Sequence, residues 1–336
     1  MAPTVLLLLV CAAILHAGWN ILLKTAADPL RTAGRGMLVG AAVLIPAASA
    51  GWLFVGRPPI PGDAWTLALA SGLLEALYFA LLSAAYARGD LSLVYPIARG
   101  TAPVLAVAIG IVFLGERLGP IAAIGVALLL AGILSLQRPW AILRQTAGMT
   151  PRARQAAWLA VATGVAIAAY SAVDRTGARI VAPWIYAALI WAFTAVFLVG
   201  GIAIVDWRGR RGTGRAFASA AAVTETEAID VIGSGASPSS RSELAGSRLR
   251  AVTDASGWGR AAVGGLVTVA AYLLVLMAFA QAPLSAVAPV RESAIVLVSG
   301  WGSFRLGEAA TRRTALTRLA AATVIVAGAI LLALGR

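Results

Sequence analysis

The chain has 336 residues, 60% of them hydrophobic and 12% charged, with a mean hydropathy of +0.88, whereas soluble globular domains carry about 25% charged residues. A net charge of +13 in a soluble protein would suggest a nucleic-acid partner, but here the basic residues fall almost entirely between apolar runs, which excludes that class and makes the chain a membrane protein. The single cysteine, Cys11, excludes a disulfide framework.

A bilayer core of about 30 Å takes about 20 helical residues, and on that ruler the chain divides into ten predicted spans. The first, 4–26, has no basic stretch ahead of it and runs on through "HAGWNILLK" where a signal peptide would carry a small-residue cleavage site, so a retained helix is expected. It carries the only histidine, His16, which suits proton transfer near neutral pH or a bond to a backbone carbonyl. It also carries Trp19, Asn20 and Lys24, the last being the only lysine among 27 basic residues. An ammonium wanted at that place would explain Lys24, and so would snorkelling to the interface.

Spans two to five follow at 33–55, 65–87, 91–114 and 118–136. Glu75 and Tyr78 fall within span three. Span four opens on "LSLVYPIARG", which sets Tyr95, Pro96 and Arg99 inside an apolar run. Arg99 lies eight residues in, about 12 Å deep at 1.5 Å per residue, and Glu75 reaches a similar depth. A charge at that depth costs a few kcal/mol, so it should face a polar cavity or a partner. The functional reading is a substrate or proton site; the plainer one is a salt bridge that holds two helices in register.

Spans six to ten are predicted at 155–175, 182–205, 260–281, 285–304 and 312–334. Span six carries Tyr170 and, at its end, Asp174 and Arg175, which could pair with each other. Span nine carries Pro289, Arg291 and Glu292, the last about 10 Å deep from the opposite face. Pro96 and Pro289 lack the N–H that would reach Ser92 and Ser285, so a locally unwound helix lining a cavity is expected, a simple kink being the alternative. Residues 206–258 are polar and rich in Gly and Ser, and a flexible loop outside the membrane is expected there.

The chain repeats itself. "YARGDLSLVYPIARGTAP…FLGE" (86–116) aligns with "FAQAPLSAVAPVRESAIV…RLGE" (279–308), pairing Pro96 with Pro289, Ser92 with Ser285, Arg99 with Glu292, and Gly115-Glu116 with Gly307-Glu308. More weakly, "WNILLKT" (19–25) aligns with "YSAVDRT" (170–176), pairing Trp19 with Tyr170 and Lys24 with Arg175. These offsets place span one on span six and span four on span nine, so the unit is five helices. With an odd number, the second copy enters from the other side. The expected fold is therefore all-α and integral to the membrane, ten transmembrane helices as two inverted five-helix repeats, 1–137 and 155–335. Loops after odd-numbered spans hold 20 Lys and Arg against five on the other side. That bias predicts termini outside the cytoplasm, in the periplasm of a bacterial inner membrane.

"HAGWNILLK", "GDLSLVYPIARG", "FLGER", "APVRESAIV" and "RLGE" together resemble the drug/metabolite transporter superfamily, in the branch built from two EamA repeats, over nearly the whole chain apart from roughly 216–250. The resemblance implies a central cavity lined by both repeats and the movement of small metabolites by alternating access. Many members of that family are read with cytoplasmic termini, and the charge count here departs from that. The substrate-binding set expected on these grounds comprises the residues singled out above in spans one, three, four, six and nine, Arg175 excepted. Arg99, Arg291 and Lys24 set against Glu75, Asp174 and Glu292 suit a zwitterion or small anion such as an amino acid or organic acid. Protons are a candidate coupling ion; no cofactor, metal or nucleic acid is expected, and a monomer is compatible with this plan. Two alternatives stand beside the transporter: a lipid-carrier flippase of the same fold, and an intramembrane lipid-modifying enzyme using paired acidic residues. One His and one Cys make a metal-dependent enzyme site hard to assemble.

Overall fold

The computed structural model describes residues 2–24, 26, 29–89, 91–144, 148–227, 255–292 and 312–335, and all regular structure among them is helical. The helices are α1 (Pro3–Lys24), α2 (Pro29–Phe54), α3 (Gly62–Tyr86), α4 (Leu91–Val112), α5 (Pro120–Gln137), a short α6 (Pro139–Arg144), α7 (Pro151–Ile180), α8 (Pro183–Glu227), α9 (Ala255–Gln281), α10 (Leu284–Glu292) and α11 (Arg312–Leu334). Six of them begin on proline. Proline's fixed φ suits the first helical turn, where its missing N–H would have no partner in any case. Thr150 caps α7 with its hydroxyl, which accepts from the Ala153 N–H at 3.3 Å. Arg138 takes a left-handed backbone (φ 46°) between α5 and α6.

Six helices contain apolar stretches long enough to cross a membrane, within α2, α3, α4, α7, α8 and α9; α1, α5 and α11 hold shorter apolar stretches. Leu7, Ile14, Val43, Leu73, Val196 and Ile330 stand on the outside, half or more exposed. In a bilayer that surface meets lipid tails. The chain is a multi-pass helical membrane protein.

Without water to drive helices together, close backbone approach through small residues must hold the bundle. At the α2–α9 crossing a Cβ on Gly36 would stand 3.0 Å from the Ala261 carbonyl, and one on Gly265 would overlap the Gly36 carbonyl. At the α3–α8 crossing a Cβ on Gly72 would come within 2.6 Å of Phe193 Cβ. Gly125 and Gly328 make the same kind of crossing between α5 and α11.

α3 packs on α7 and α8 and α9 packs on α1 and α2, while α4 packs on α10 and α5 on α11; α9 also packs on α7.

Three expectations change. Helix α8 continues past residue 205 to Glu227, into the segment expected to be a loop; it crosses three glycines in "DWRGRRGTGR" and ends in "AFASAAAVTETE", which is rich in alanine, a strong helix former. Helix α4 is continuous across Pro96, and α10 is helical through Pro289. Each proline is the sixth residue of its helix, so one backbone bond near the helix start is lost and the turn survives. Helix α6 was not foreseen. Span nine is described only as far as Glu292; the rest of it, Glu308 and the 228–254 part of the expected loop lie outside the described residues.

Candidate functional site

The aligned positions of α4 and α10 meet in the interior. Arg99 Nη1 lies 3.0 Å from Glu292 Oε2, and both side chains are over nine-tenths buried. Arg291 Nη2 stands 3.2 Å from the other oxygen of the same carboxylate. One carboxylate therefore serves two guanidiniums, and the cluster carries an excess positive charge. Arg291 also donates from Nη1 to Ser171 Oγ at 3.2 Å. Arg99 Nη2 is 2.9 Å from His16 Nε2. A guanidinium can only donate, so Nε2 is the acceptor and the ring proton sits on Nδ1. Tyr95 and Tyr170 place their rings 5.9 Å from the guanidinium carbons of Arg99 and Arg291 respectively, within cation–π range.

Beside this cluster lies a second polar group. Asp174, fully buried on α7, accepts from Ser71 Oγ at 2.5 Å and from the Tyr272 hydroxyl. Glu75 accepts from Thr194 Oγ1 at 2.9 Å. Gly72 makes that last bond available, since its missing side chain lets α8 approach α3 closely one turn before Glu75. Every one of these donors is a neutral hydroxyl.

A cavity of about 60 Å³ lies between the two groups. His16, Glu75, Arg99 and Arg291 supply its ionisable lining, and the rings of Trp19, Tyr78, Tyr170, Trp191 and Tyr272 much of the remainder. A smaller pocket on the far side of Arg99 and Tyr78 contains Tyr86 and Tyr95.

Most predicted site residues thus converge. His16, Trp19, Glu75, Tyr78, Arg99, Tyr170 and Arg291 line the cavity, Glu292 holds the two arginines, and Tyr95 sits behind Arg99. Asp174 joins from behind Tyr272. It does not pair with Arg175, because neighbouring residues on a helix point about 100° apart; Arg175 turns instead to Glu116, 3.6 Å away. Arg99 pairs with Glu292 and not with Glu75. Pro96 and Pro289 shape their helices without lining the cavity. The side chains of Asn20 and Lys24 lie outside the described residues.

Ser71, Thr194, Trp191 and Tyr272 were not foreseen. Small hydroxyls in apolar helices give no sequence signal, but a tyrosine in the middle of span eight could have been weighed. Glu116 was visible only as half of a repeated Gly-Glu pair. It follows Gly115, whose φ of +63° turns the chain after α4. Its carboxylate accepts from the N–H groups of Leu284 (2.6 Å) and Ser285 (2.9 Å) and from Ser285 Oγ (2.8 Å), so a residue of the first half caps α10 of the second. Glu116→Ala should lower stability by about 2 kcal/mol, since it strands donors that now bond a charged group. An unchanged melting temperature would show that water replaces the cap.

The comparisons agree with this architecture. No curated protein matches the chain. A solved structure described only as "Crystal structure of protein" superposes with a TM-score of 0.63 at 19% identity, over 100% of this chain and 99% of that one, which speaks to the fold alone. Residues 3–137 match the model of the EamA-like transporter family, so this first part of the chain is similar to the EamA-like transporters.

Proposed function

We propose that the chain is a secondary transporter that carries a small zwitterion or anion, such as an amino acid or organic acid, across the bacterial cytoplasmic membrane by alternating access. The observation that carries this reading is the meeting of Arg99 with Glu292, positions aligned between the two expected repeats, at an internal cavity. Two guanidiniums bring about ten N–H donors, and Glu292, His16 and Ser171 do not use them all. A substrate carboxylate would take the surplus donors and the surplus charge on Arg99 and Arg291. An ammonium group on the same substrate would meet the faces of the aromatic walls, which would also hold the body.

A volume of about 60 Å³ is room for about two waters at about 30 Å³ each, against the roughly 300 Å³ or more of a ligand pocket. The helices must therefore part to admit a substrate. The contacts of α3 with α7 and α8, set beside those of α9 with α1 and α2, support two ways of parting, one toward each side, as an inverted repeat provides.

Thermal shift of the purified chain against L-amino acids, organic acids and lipid-carrier headgroups tests the substrate class. A bound ligand at about 100 times its Kd adds about 2.7 kcal/mol to stability. A small acid or amino acid should raise the midpoint of the wild type, and Arg99→Lys should lose that rise, because a point charge cannot reproduce the planar fork that holds a carboxylate. A rise with lipid-carrier headgroups alone would favour a flippase.

The same reading puts both termini in the periplasm. A C-terminal alkaline phosphatase fusion should be active and a green fluorescent fusion dark; the opposite pair of results would reverse the orientation.

A further inference from the structure

We propose that Glu75, Tyr272 and Asp174 hold one exchangeable proton between their two carboxyl groups, and that this proton travels with the substrate. This deepens the transporter reading and rests on it.

The first ground is a count of hydrogens. Asp174 takes one hydrogen from Ser71 on Oδ1 and the phenolic hydrogen of Tyr272 on Oδ2. Tyr272 and Glu75 line the same cavity, and Ser71, the other donor to Asp174, stands one helical turn before Glu75 on α3; a phenol has one hydrogen to give. That hydrogen is already on Asp174, so Tyr272 can bridge the two acids only if Glu75 donates an O–H of its own. One added proton completes the chain Glu75 O–H to Tyr272 O–H to Asp174. Without it, two buried negative charges share one region of the interior with hydroxyl donors alone.

The second ground is the surroundings. Among the described residues no ion pair reaches either carboxylate. From α8, Thr194 donates to Glu75. From α3, Ser71 donates to Asp174, and Tyr170 of α7 lines the same cavity. From α1, His16 lines the cavity but is engaged with Arg99. From α10, Arg291 lines the same cavity as Glu75.

The third ground is independent of the acids. Among the described residues, two donors of helix α8 have no hydrogen-bond partner, the Trp191 indole N–H and the Tyr186 hydroxyl. Trp191 is 2% exposed, lines the cavity, and stacks edge-on against Tyr272 with centroids 5.5 Å apart. Tyr186 is wholly buried, its ring against Gly177 one helical turn after Asp174 on α7. Unpartnered donors beside an acid pair suit the form that has lost its proton, whose second negative charge needs them.

Glu75 and Tyr272 line the cavity and Asp174 does not. The proton therefore passes between cavity water and the Glu75 carboxylate: an O–H bond forms on Glu75 as one breaks on hydronium, and the reverse returns it. Arg291 connects this site to the substrate. An anion seated on Arg291 cancels the positive field that favours the doubly ionised pair, so substrate strengthens proton binding and, by reciprocity, the proton strengthens substrate binding. That linkage is the thermodynamic basis of symport.

Infrared spectroscopy of the purified full chain reads the proton directly. At neutral pH the wild type should show the C=O band of one protonated carboxyl, shifted in heavy water, and Glu75→Gln and Asp174→Asn should each lose it. Tyr272→Phe, which keeps the ring and removes the bridge, should move the band. No band at neutral pH, or a band indifferent to both acid substitutions, would overturn the site. In proteoliposomes an inward proton gradient should drive accumulation of labelled L-amino acids by the wild type and have no effect on Asp174→Asn, with Glu75→Gln in its place if that variant does not fold. Counterflow of the same labels without any response to the gradient would overturn the coupling while leaving transport intact. A band present with no counterflow would keep the proton site and sink the transport reading.

Discussion

Replacing Glu292 with alanine should destabilise the chain by about 3–5 kcal/mol, more than any other single substitution in the charged cluster, because it leaves two buried guanidiniums without an anion between them. Arg99 and Arg291 would then face each other's charge, left with His16, Ser171 and the rings of Tyr95 and Tyr170. Arg99→Ala should be milder, since Arg291 still holds Glu292 at 3.2 Å. Combined with Arg99→Ala, the Glu292→Ala variant should regain much of its loss, because one cation and the anion leave together and Arg291 keeps Ser171. Melting temperatures of the three variants check this ordering. A double variant as unstable as Glu292→Ala alone would mean that the pair is not the unit of stability.

A comparable loss should follow from Gly265→Leu. Its Cβ would overlap the Gly36 carbonyl, and Gly36 in turn has the Ala261 carbonyl 3.0 Å from where its own Cβ would stand. Overpacking ordinarily costs about 1–3 kcal/mol because side chains can shift. Here the obstacle is helix backbone on both sides, so the figure should reach about 3 kcal/mol or more, and α2 and α9 should separate. Trp19, which packs over Gly264 in the next position, and Tyr272 two turns on would move with α9. Size-exclusion profiles in detergent should show loss of the monodisperse peak. A normal peak and melting temperature would mean that the crossing has slack.

The helical membrane architecture was legible in the sequence because apolar runs of membrane-spanning length are a strong one-dimensional signal, and the expected repeat drew attention to Arg99 and Glu292. Depth arithmetic alone placed Arg99, Glu292 and Glu75 near one level. The choice of partner was not legible. Arg99 takes Glu292 over Glu75 because α4 packs on α10, a contact between distant parts of the chain that no local pattern encodes. Asp174 and Arg175 look like a pair on paper and point to different neighbours on a helix. Thr194 and Ser71 gain meaning only through Gly72 and the close α3–α8 crossing. Helix α8 beyond residue 205 was misjudged by weighing polarity over the helix propensity of its alanines.

The central claim is that Arg99 serves a substrate and not only Glu292. Counterflow of labelled L-amino acids and organic acids in proteoliposomes, compared between the wild type and the Arg99→Ala/Glu292→Ala double variant, tests it most directly. The account predicts a double variant that folds and melts close to the wild type and carries nothing; a double variant that exchanges substrate at the wild-type rate would contradict it.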